Sequence, residues 1–78
     1  MTEIYYIEDD ETISVAVKEY LSQKGYHVSI FGTLEGGKKA LERHIPSIVL
    51  IDWNMPDGEG GSFCRWMRAR WSELPVIF

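Results

Sequence analysis

Acidic side chains at two separated places in the chain could together hold a divalent cation. Residues 8–11 are four consecutive acids that follow the apolar segment 4–7, and Asp52 follows the apolar segment 48–51. Carboxylates that meet within a few ångströms repel one another and stay ionised at neutral pH when a cation lies among them. Oxygen-only ligands in a small, open site that keeps its waters suit Mg²⁺ better than Ca²⁺. The pattern predicts a magnesium site, which Mn²⁺ could also fill.

The same carboxylates could take part in phosphoryl transfer. A carboxylate beside Mg²⁺ can attack phosphorus and form an aspartyl phosphate. Asp52 is the better nucleophile because the loop after it leaves one side open, and Glu8 and Asp9 are the better metal ligands. The backbone carbonyl at about Asn54 is placed to add a further ligand. Trp53, next to Asp52, either gates access to it or packs over the loop.

A structural role competes for the acids that begin the first helix. Negative side chains at a helix N-terminus are favoured by the helix dipole. We assign this role to Asp10 and Glu11, as the cap and first-turn residues. For Glu8 and Asp9 the metal-binding role is preferred, because Asp52 lies at the matching end of another buried strand.

Strands and helices alternate along the chain in a way that would bring these acids together. Apolar runs predict strands near 4–7, 27–31, 48–51 and 74–78, separated by three segments with helical spacing. The residues with helical spacing are Ile13, Val17, Tyr20 and Leu21 in the first helix and Leu34, Lys38, Leu41 and Ile45 in the second, whose buried side includes Ala40 and Leu41. The expected apolar side of the third helix consists of Phe63, Cys64, Met67 and Trp71. The order β-α-β-α-β-α-β implies an open parallel sheet, whose strands have their carboxyl ends at one edge.

Composition excludes several other classes of protein. The chain has 78 residues, which is one small domain, and its net charge of −4 argues against nucleic-acid binding by this segment. No apolar run approaches the roughly 20 residues of a membrane span. Cys64 is the only cysteine, so no internal disulfide forms and a cytoplasmic location is expected.

Four motifs resemble the response-regulator receiver domain of two-component signalling. They are Ile-Tyr-Tyr-Ile-Glu-Asp-Asp-Glu at 4–11, Gly-Lys-Lys-Ala-Leu-Glu at 37–42, Ile-Val-Leu-Ile-Asp-Trp-Asn-Met-Pro-Asp-Gly at 48–58 and Leu-Pro-Val-Ile-Phe at 74–78. The chain most resembles receivers of the transcription-factor branch, which carry a winged-helix DNA-binding domain. This resemblance implies a flavodoxin-like sheet of strand order 2-1-3-4.

The resemblance also implies roles for individual residues. Asp52 would be the phosphoacceptor, Glu8 and Asp9 the acidic pair, and Asn54 the carbonyl ligand. A sensor histidine kinase would donate the phosphoryl group, and the chain would be a signalling module rather than a dedicated enzyme.

The chain departs from the receiver pattern at its carboxyl end. The family has five strands and five helices, and its Ser/Thr and Lys that contact the phosphoryl group would lie beyond Phe78. Residues 1–78 are therefore expected to form an incomplete receiver domain, with DNA binding left to an absent effector domain. An apolar edge strand left bare by truncation favours a homo-oligomer.

Two alternative functions compete with the phosphoacceptor. One is a receiver fragment without phosphotransfer, which acts as a self-association or interaction module. The other is a phosphatase with an aspartyl nucleophile on the first strand, as in haloacid-dehalogenase-like folds. That family needs Asp-x-Asp there, and this chain has Glu8-x-Asp10.

Overall fold

Four parallel strands form the sheet that organises the chain. The computed structural model describes residues 2–78, in the order β1 (Glu3–Ile7), α1 (Glu11–Gln23), β2 (His27–Phe31), α2 (Leu34–Arg43), β3 (Ile48–Ile51), β4 (Asn54–Met55), β5 (Gly58–Glu59), α3 (Gly60–Arg70) and β6 (Val76–Ile77). The sheet order is β2-β1-β3-β6, with every pair parallel. The predicted α/β fold and strand order are confirmed, with β6 as the fourth strand.

The register of the sheet brings the strand ends level with one another. Ile7 at the end of β1 pairs with Phe31 on one side and with Ile51 on the other. Backbone pairing continues one step beyond the strands, because the Asp52 N–H donates to the Ile7 carbonyl at 3.1 Å. The residues that follow β1 and β3 therefore emerge side by side at the carboxyl edge of the sheet.

The two faces of the sheet are covered unequally. One face packs against α2 and α3 in a cluster that contains Ile7, Val49, Leu41, Phe63 and Met67, all nearly or fully inaccessible to solvent. The other face carries a smaller cluster of Ile4, Tyr6 and Val28, with α1 over it. Ile48 and Leu50 of β3 lie on this second face and are only half-buried.

The buried side of helix α1 differs from the predicted one. The helix contacts the sheet through Ser14, Val17 and Leu21, which recur at intervals of three and four residues. Ile13 is 48% exposed and Tyr20 is 60% exposed, so neither belongs to the core. Both lie at the flank of this stripe, one position before the residues that face the sheet.

Helices α2 and α3 both end earlier than the sequence analysis predicted. Helix α2 ends at Arg43, so Ile45 lies beyond it and is exposed. Pro46 accounts for this early end, because the residue before proline is disfavoured in helical conformation. Helix α3 ends at Arg70, and Trp71 is its C-cap residue, whose N–H donates to the Met67 carbonyl. Among residues 2–78, no helix has the length and apolar character to cross a membrane.

Gly37 explains why α2 tolerates glycines in its first turns. A Cβ at position 37 would lie 2.6 Å from Cδ1 of Ile7 and 3.6 Å from Cζ of Phe63. The helix can therefore approach β1 closely only without a side chain here. Glycine lowers the helix propensity by about 1 kcal/mol relative to alanine, and the close packing offsets this loss.

We expect Gly37→Ala to destabilise the protein by about 1 kcal/mol, because overpacking a filled core costs about 1–3 kcal/mol and exceeds the gain in helix propensity. Urea-induced unfolding measures the change. Gly36→Ala is the matched control, since a Cβ there would meet only the Thr33 hydroxyl at 3.2 Å and the Phe31 ring edge. A Gly37→Ala variant at least as stable as Gly36→Ala would contradict this account of the packing.

Candidate functional site

Three carboxylates meet at the carboxyl edge of the sheet. Glu8 and Asp9 follow β1, and Asp52 follows the neighbouring strand β3. Each offers an oxygen, and these three oxygens lie within 4.8 Å of one another. The structure therefore brings together the acids that the sequence analysis paired, whereas their roles as ligands and acceptor stay predictions.

Glu8 is the most enclosed of the three acids. It is buried, and its Oε2 accepts a hydrogen bond from the Asp10 N–H at 3.2 Å. Burial raises the pKa of Glu8, the hydrogen bond from Asp10 acts against this, and the negative charge of Asp52 raises the pKa further. Burial also raises the pKa of Tyr6 beneath the cluster, with Glu8 and Asp52 adding to the effect. Glu8 is therefore the poorly solvated member of the cluster, since Asp9 is exposed and Asp52 is partly exposed.

The acids following Asp9 have the structural roles expected of them. Asp10 is the N-cap of α1, and its Oδ1 accepts a hydrogen bond from the Ile13 N–H at 3.1 Å. Glu11 is the acidic residue of the first turn. Neither belongs to the group of three acids at the strand ends.

The chain folds back on itself just after Asp52. The Gly60 N–H donates to the Trp53 carbonyl at 2.7 Å, which closes a hairpin formed by β4 and β5. A Cβ at position 60 would lie 2.9 Å from the Asp52 carbonyl oxygen, so only glycine fits this approach. The sequence analysis described only a loop after Asp52 and did not identify the hairpin or Gly60. A glycine eight residues after Asp52, at the start of a helix, was the available signal.

Asn54 and Trp53 lie on this loop. Asn54 is exposed and pairs with Glu59 in the hairpin, and its carbonyl as a metal ligand stays a prediction. Trp53 is 51% exposed, and its ring meets the Phe78 ring edge-on with centroids 5.1 Å apart. A cavity of about 290 Å³ opens beside it, with Glu8, Asp52 and Phe78 in its wall. The gating role of Trp53 is likewise untested by this arrangement.

Asp57, at the tip of the hairpin, caps a helix that is distant in sequence. Its two carboxylate oxygens accept hydrogen bonds from the N–H groups of Leu34, at 2.8 Å, and Glu35, at 3.0 Å. These hydrogen bonds, with that from Leu34 the largest influence, lower the pKa of Asp57. The sequence analysis gave Asp57 no role beyond its place in the motif at 48–58. A cap that spans 23 positions leaves no local pattern to detect.

The chemistry of the three acids fits a hard divalent cation. Within residues 2–78, the ion pairs involve Glu3 with His27 and His44, at the opposite end of β1, and none reaches the acidic cluster. Carboxylate oxygens without a cationic side chain nearby are the donor set that Mg²⁺ prefers.

Replacing one of these acids should stabilise the metal-free protein. We expect Asp52→Asn to raise the free energy of unfolding by about 1 kcal/mol at pH 7 and low salt, because one like charge is removed at nearly constant shape. Urea-induced unfolding in the presence of a chelator measures this. Asp10→Asn is the control, since asparagine keeps the capping hydrogen bond while this variant removes a negative charge that the helix dipole favours. Equal stability of the two variants would contradict the repulsion.

Comparison with known proteins agrees with this geometry. A family model described as the response regulator receiver domain matches residues 4–78. The chain is 33% identical over 75 residues to the transcriptional regulatory protein RprY of Bacteroides fragilis, covering 96% of this chain and 32% of that protein.

Two solved structures are similar in fold. The BeF3-activated receiver domain of Klebsiella pneumoniae RstA superposes with a TM-score of 0.90 at 25% identity, covering 96% of this chain and 63% of that one. The beryllofluoride-activated NtrC4 receiver domain dimer gives a TM-score of 0.94 at 26% identity, covering 99% of this chain and 64% of that one.

The match to the family model extends along nearly all of this chain and includes Glu8, Asp9 and Asp52. The chain spans about a third of the length of the curated relatives it matches. The resemblance identified from the four sequence motifs is confirmed, and the chain belongs to the family of response regulator receiver domains.

Proposed function

We propose that the chain is a phospho-accepting receiver module of a two-component response regulator, with Asp52 as the residue that accepts the phosphoryl group. The observation that carries this proposal is the meeting of Glu8, Asp9 and Asp52 at one edge of the sheet, with carboxylate oxygens within 4.8 Å of one another. Membership of the receiver family supports this function over that of an interaction module without phosphotransfer.

Glu8, Asp9 and Asp52 would hold the divalent ion, with the Asn54 carbonyl as a further ligand. Mg²⁺ is the expected ion, and Mn²⁺ would substitute for it. When bound, the ion would neutralise charge on the phosphoryl group during its transfer. Glu8 is buried and hydrogen-bonded to the Asp10 N–H, so its carboxylate is fixed in place before the ion arrives.

The reaction at Asp52 is a displacement at phosphorus. A carboxylate oxygen of Asp52 forms a bond to phosphorus while the P–N bond of a phosphohistidine in a sensor histidine kinase breaks. The imidazole nitrogen released takes up a proton from solvent, and the product is an aspartyl phosphate. Glu8 is buried, whereas Asp52 is partly exposed in the wall of an open cavity that a donor can enter. Asp9 is exposed as well, so the choice of Asp52 over Asp9 rests on the resemblance to the receiver pattern.

We also propose that the whole protein regulates transcription. The relative RprY is named a transcriptional regulatory protein, and this chain spans only about a third of its length. DNA recognition would then lie outside this segment, whose net charge is −4.

Phosphorylation at Asp52 can be tested with a small-molecule donor. Incubation with Mg²⁺ and acetyl phosphate should add one phosphoryl group to the wild-type chain, detected by intact mass and removed by hydroxylamine. Asp52→Ala should gain no mass, because the nucleophile is absent. Asp10→Asn should behave as the wild type does, because Asp10 only caps α1. Identical mass changes in the wild type and in Asp52→Ala would refute the proposed acceptor.

We further propose that the chain forms homo-oligomers through the open edge of the sheet at β6. Ile77 is 53% exposed and Phe78 is 57% exposed, beside half-buried residues of β3. An apolar edge strand presents unpaired backbone groups that a second chain can pair with. The NtrC4 receiver, which is similar in fold, is described as a dimer in its activated state.

Light scattering across a dilution series measures this association. The mass is expected to rise above that of one 9.0 kDa chain as the concentration increases. Ile77→Lys should shift the series towards the single chain, because a charge on an edge strand opposes pairing, and Lys18→Glu on α1 is the control. A single-chain mass at every concentration would overturn this proposal.

A further inference from the structure

The first N–H groups of α2 are bound by side chains from two different places. A helix leaves these N–H groups without partners in its own backbone. Thr33, the N-cap, accepts from the Gly36 N–H through its hydroxyl at 3.0 Å. Asp57 of the β4–β5 hairpin accepts from the Leu34 and Glu35 N–H groups. One cap is therefore local, and the other comes from the loop that follows Asp52.

Three further features constrain the hairpin. Met55 is buried in the core. Gly58 has φ +151°, and a Cβ there would lie 2.9 Å from Cδ1 of Leu34. The Gly60 N–H binds the Trp53 carbonyl, which closes the loop next to Asp52. Among these features of the hairpin, only Asp57 places a charged group at the positive end of a helix, where a carboxylate is favoured.

We propose that Asp57 is a positioning residue for the metal site, which fixes the loop that follows Asp52 and carries Asn54 by anchoring the tip of that loop to α2. This inference rests on the proposed function, because the ligands that it positions are those of the proposed Mg²⁺ site. Asp57 itself lies at the far end of the hairpin and is not one of the three clustered acids.

The physical argument concerns the freedom of a short loop. Asn54 and Met55 pair only with Glu59 and Gly58, so the hairpin has two residue pairs and little stability of its own. Its position is therefore set by its contacts with the rest of the domain, which are the burial of Met55 and the hydrogen bonds to Asp57. The Asp57 carboxylate accepts hydrogen bonds from two adjacent N–H groups, and these two bonds fix the orientation of the carboxylate as well as its distance from α2. Groups that hydrogen-bond directly to a metal ligand typically change metal affinity by about 10–100-fold when removed. Asp57 acts through the loop rather than on a ligand, so we expect an effect at the lower end of this range.

The test compares variants that lose different caps of the same helix. We expect Asp57→Ala to weaken Mg²⁺ binding roughly tenfold, as is typical when a residue that orients metal ligands is removed. Asp57→Asn should weaken it less, because one carbonyl oxygen still accepts a hydrogen bond. Thr33→Ala is the control, since it removes the local cap at the same helix end and leaves the hairpin untouched. Its Mg²⁺ affinity should match that of the wild type.

Mg²⁺ titration of the full chain, followed by its tryptophan fluorescence, measures the affinity. Trp53 beside Asp52 contributes to this signal together with Trp66 and Trp71. Amide hydrogen exchange of residues 54–58 gives a second readout and should accelerate in Asp57→Ala but not in Thr33→Ala. If the wild type binds Mg²⁺ and both alanine variants lose affinity equally, Asp57 acts only through stability and the inference is wrong. Unchanged affinity in Asp57→Ala and Asp57→Asn would also overturn it. A wild-type chain that does not bind Mg²⁺ would instead overturn the proposed function.

Discussion

Like charges gathered at one edge of the sheet are the constraint on which the rest of this structure depends. Glu8 and Asp52 are fixed by the ends of two hydrogen-bonded strands, so they cannot separate without breaking the register of the sheet. The burial of Glu8, together with the negative charge of Asp52, raises the pKa of Glu8. The remaining parts of the domain hold this arrangement in place, and the proposed binding of a cation would reduce the repulsion.

Much of the fold and the position of the acids could be predicted because their signals are local in the sequence. A β-branched run followed directly by an acid identifies both a strand and the residue at its end, as at Asp52. The parallel topology then follows from the alternation of strands and helices, and it brings Glu8 to the same edge. The N-caps Asp10 and Thr33 were likewise visible as polar residues immediately before periodic helices.

The features that could not be predicted all depend on contacts between distant segments. Asp57 reads locally as a turn residue, and only the packed structure shows the helix end that it reaches. Gly37 reads as a weakness in α2 until Ile7 is placed opposite it. Ile13 and Tyr20 have helical spacing, yet periodicity does not say how wide a stripe the sheet covers. In each case the deciding quantity is the distance to a residue remote in the sequence.

The unequal cover of the two sheet faces has a mechanical consequence. The side packed by α2 and α3 is close to incompressible, because filled interiors resist changes of volume. The side of α1 includes half-buried Leu50 and the cavity beside Tyr6 and Phe78. Any strain produced by a change of charge at the sheet edge will relax in this softer direction. We therefore expect a change of charge at Asp52 to displace residues around the cavity more than residues in the core between the sheet, α2 and α3.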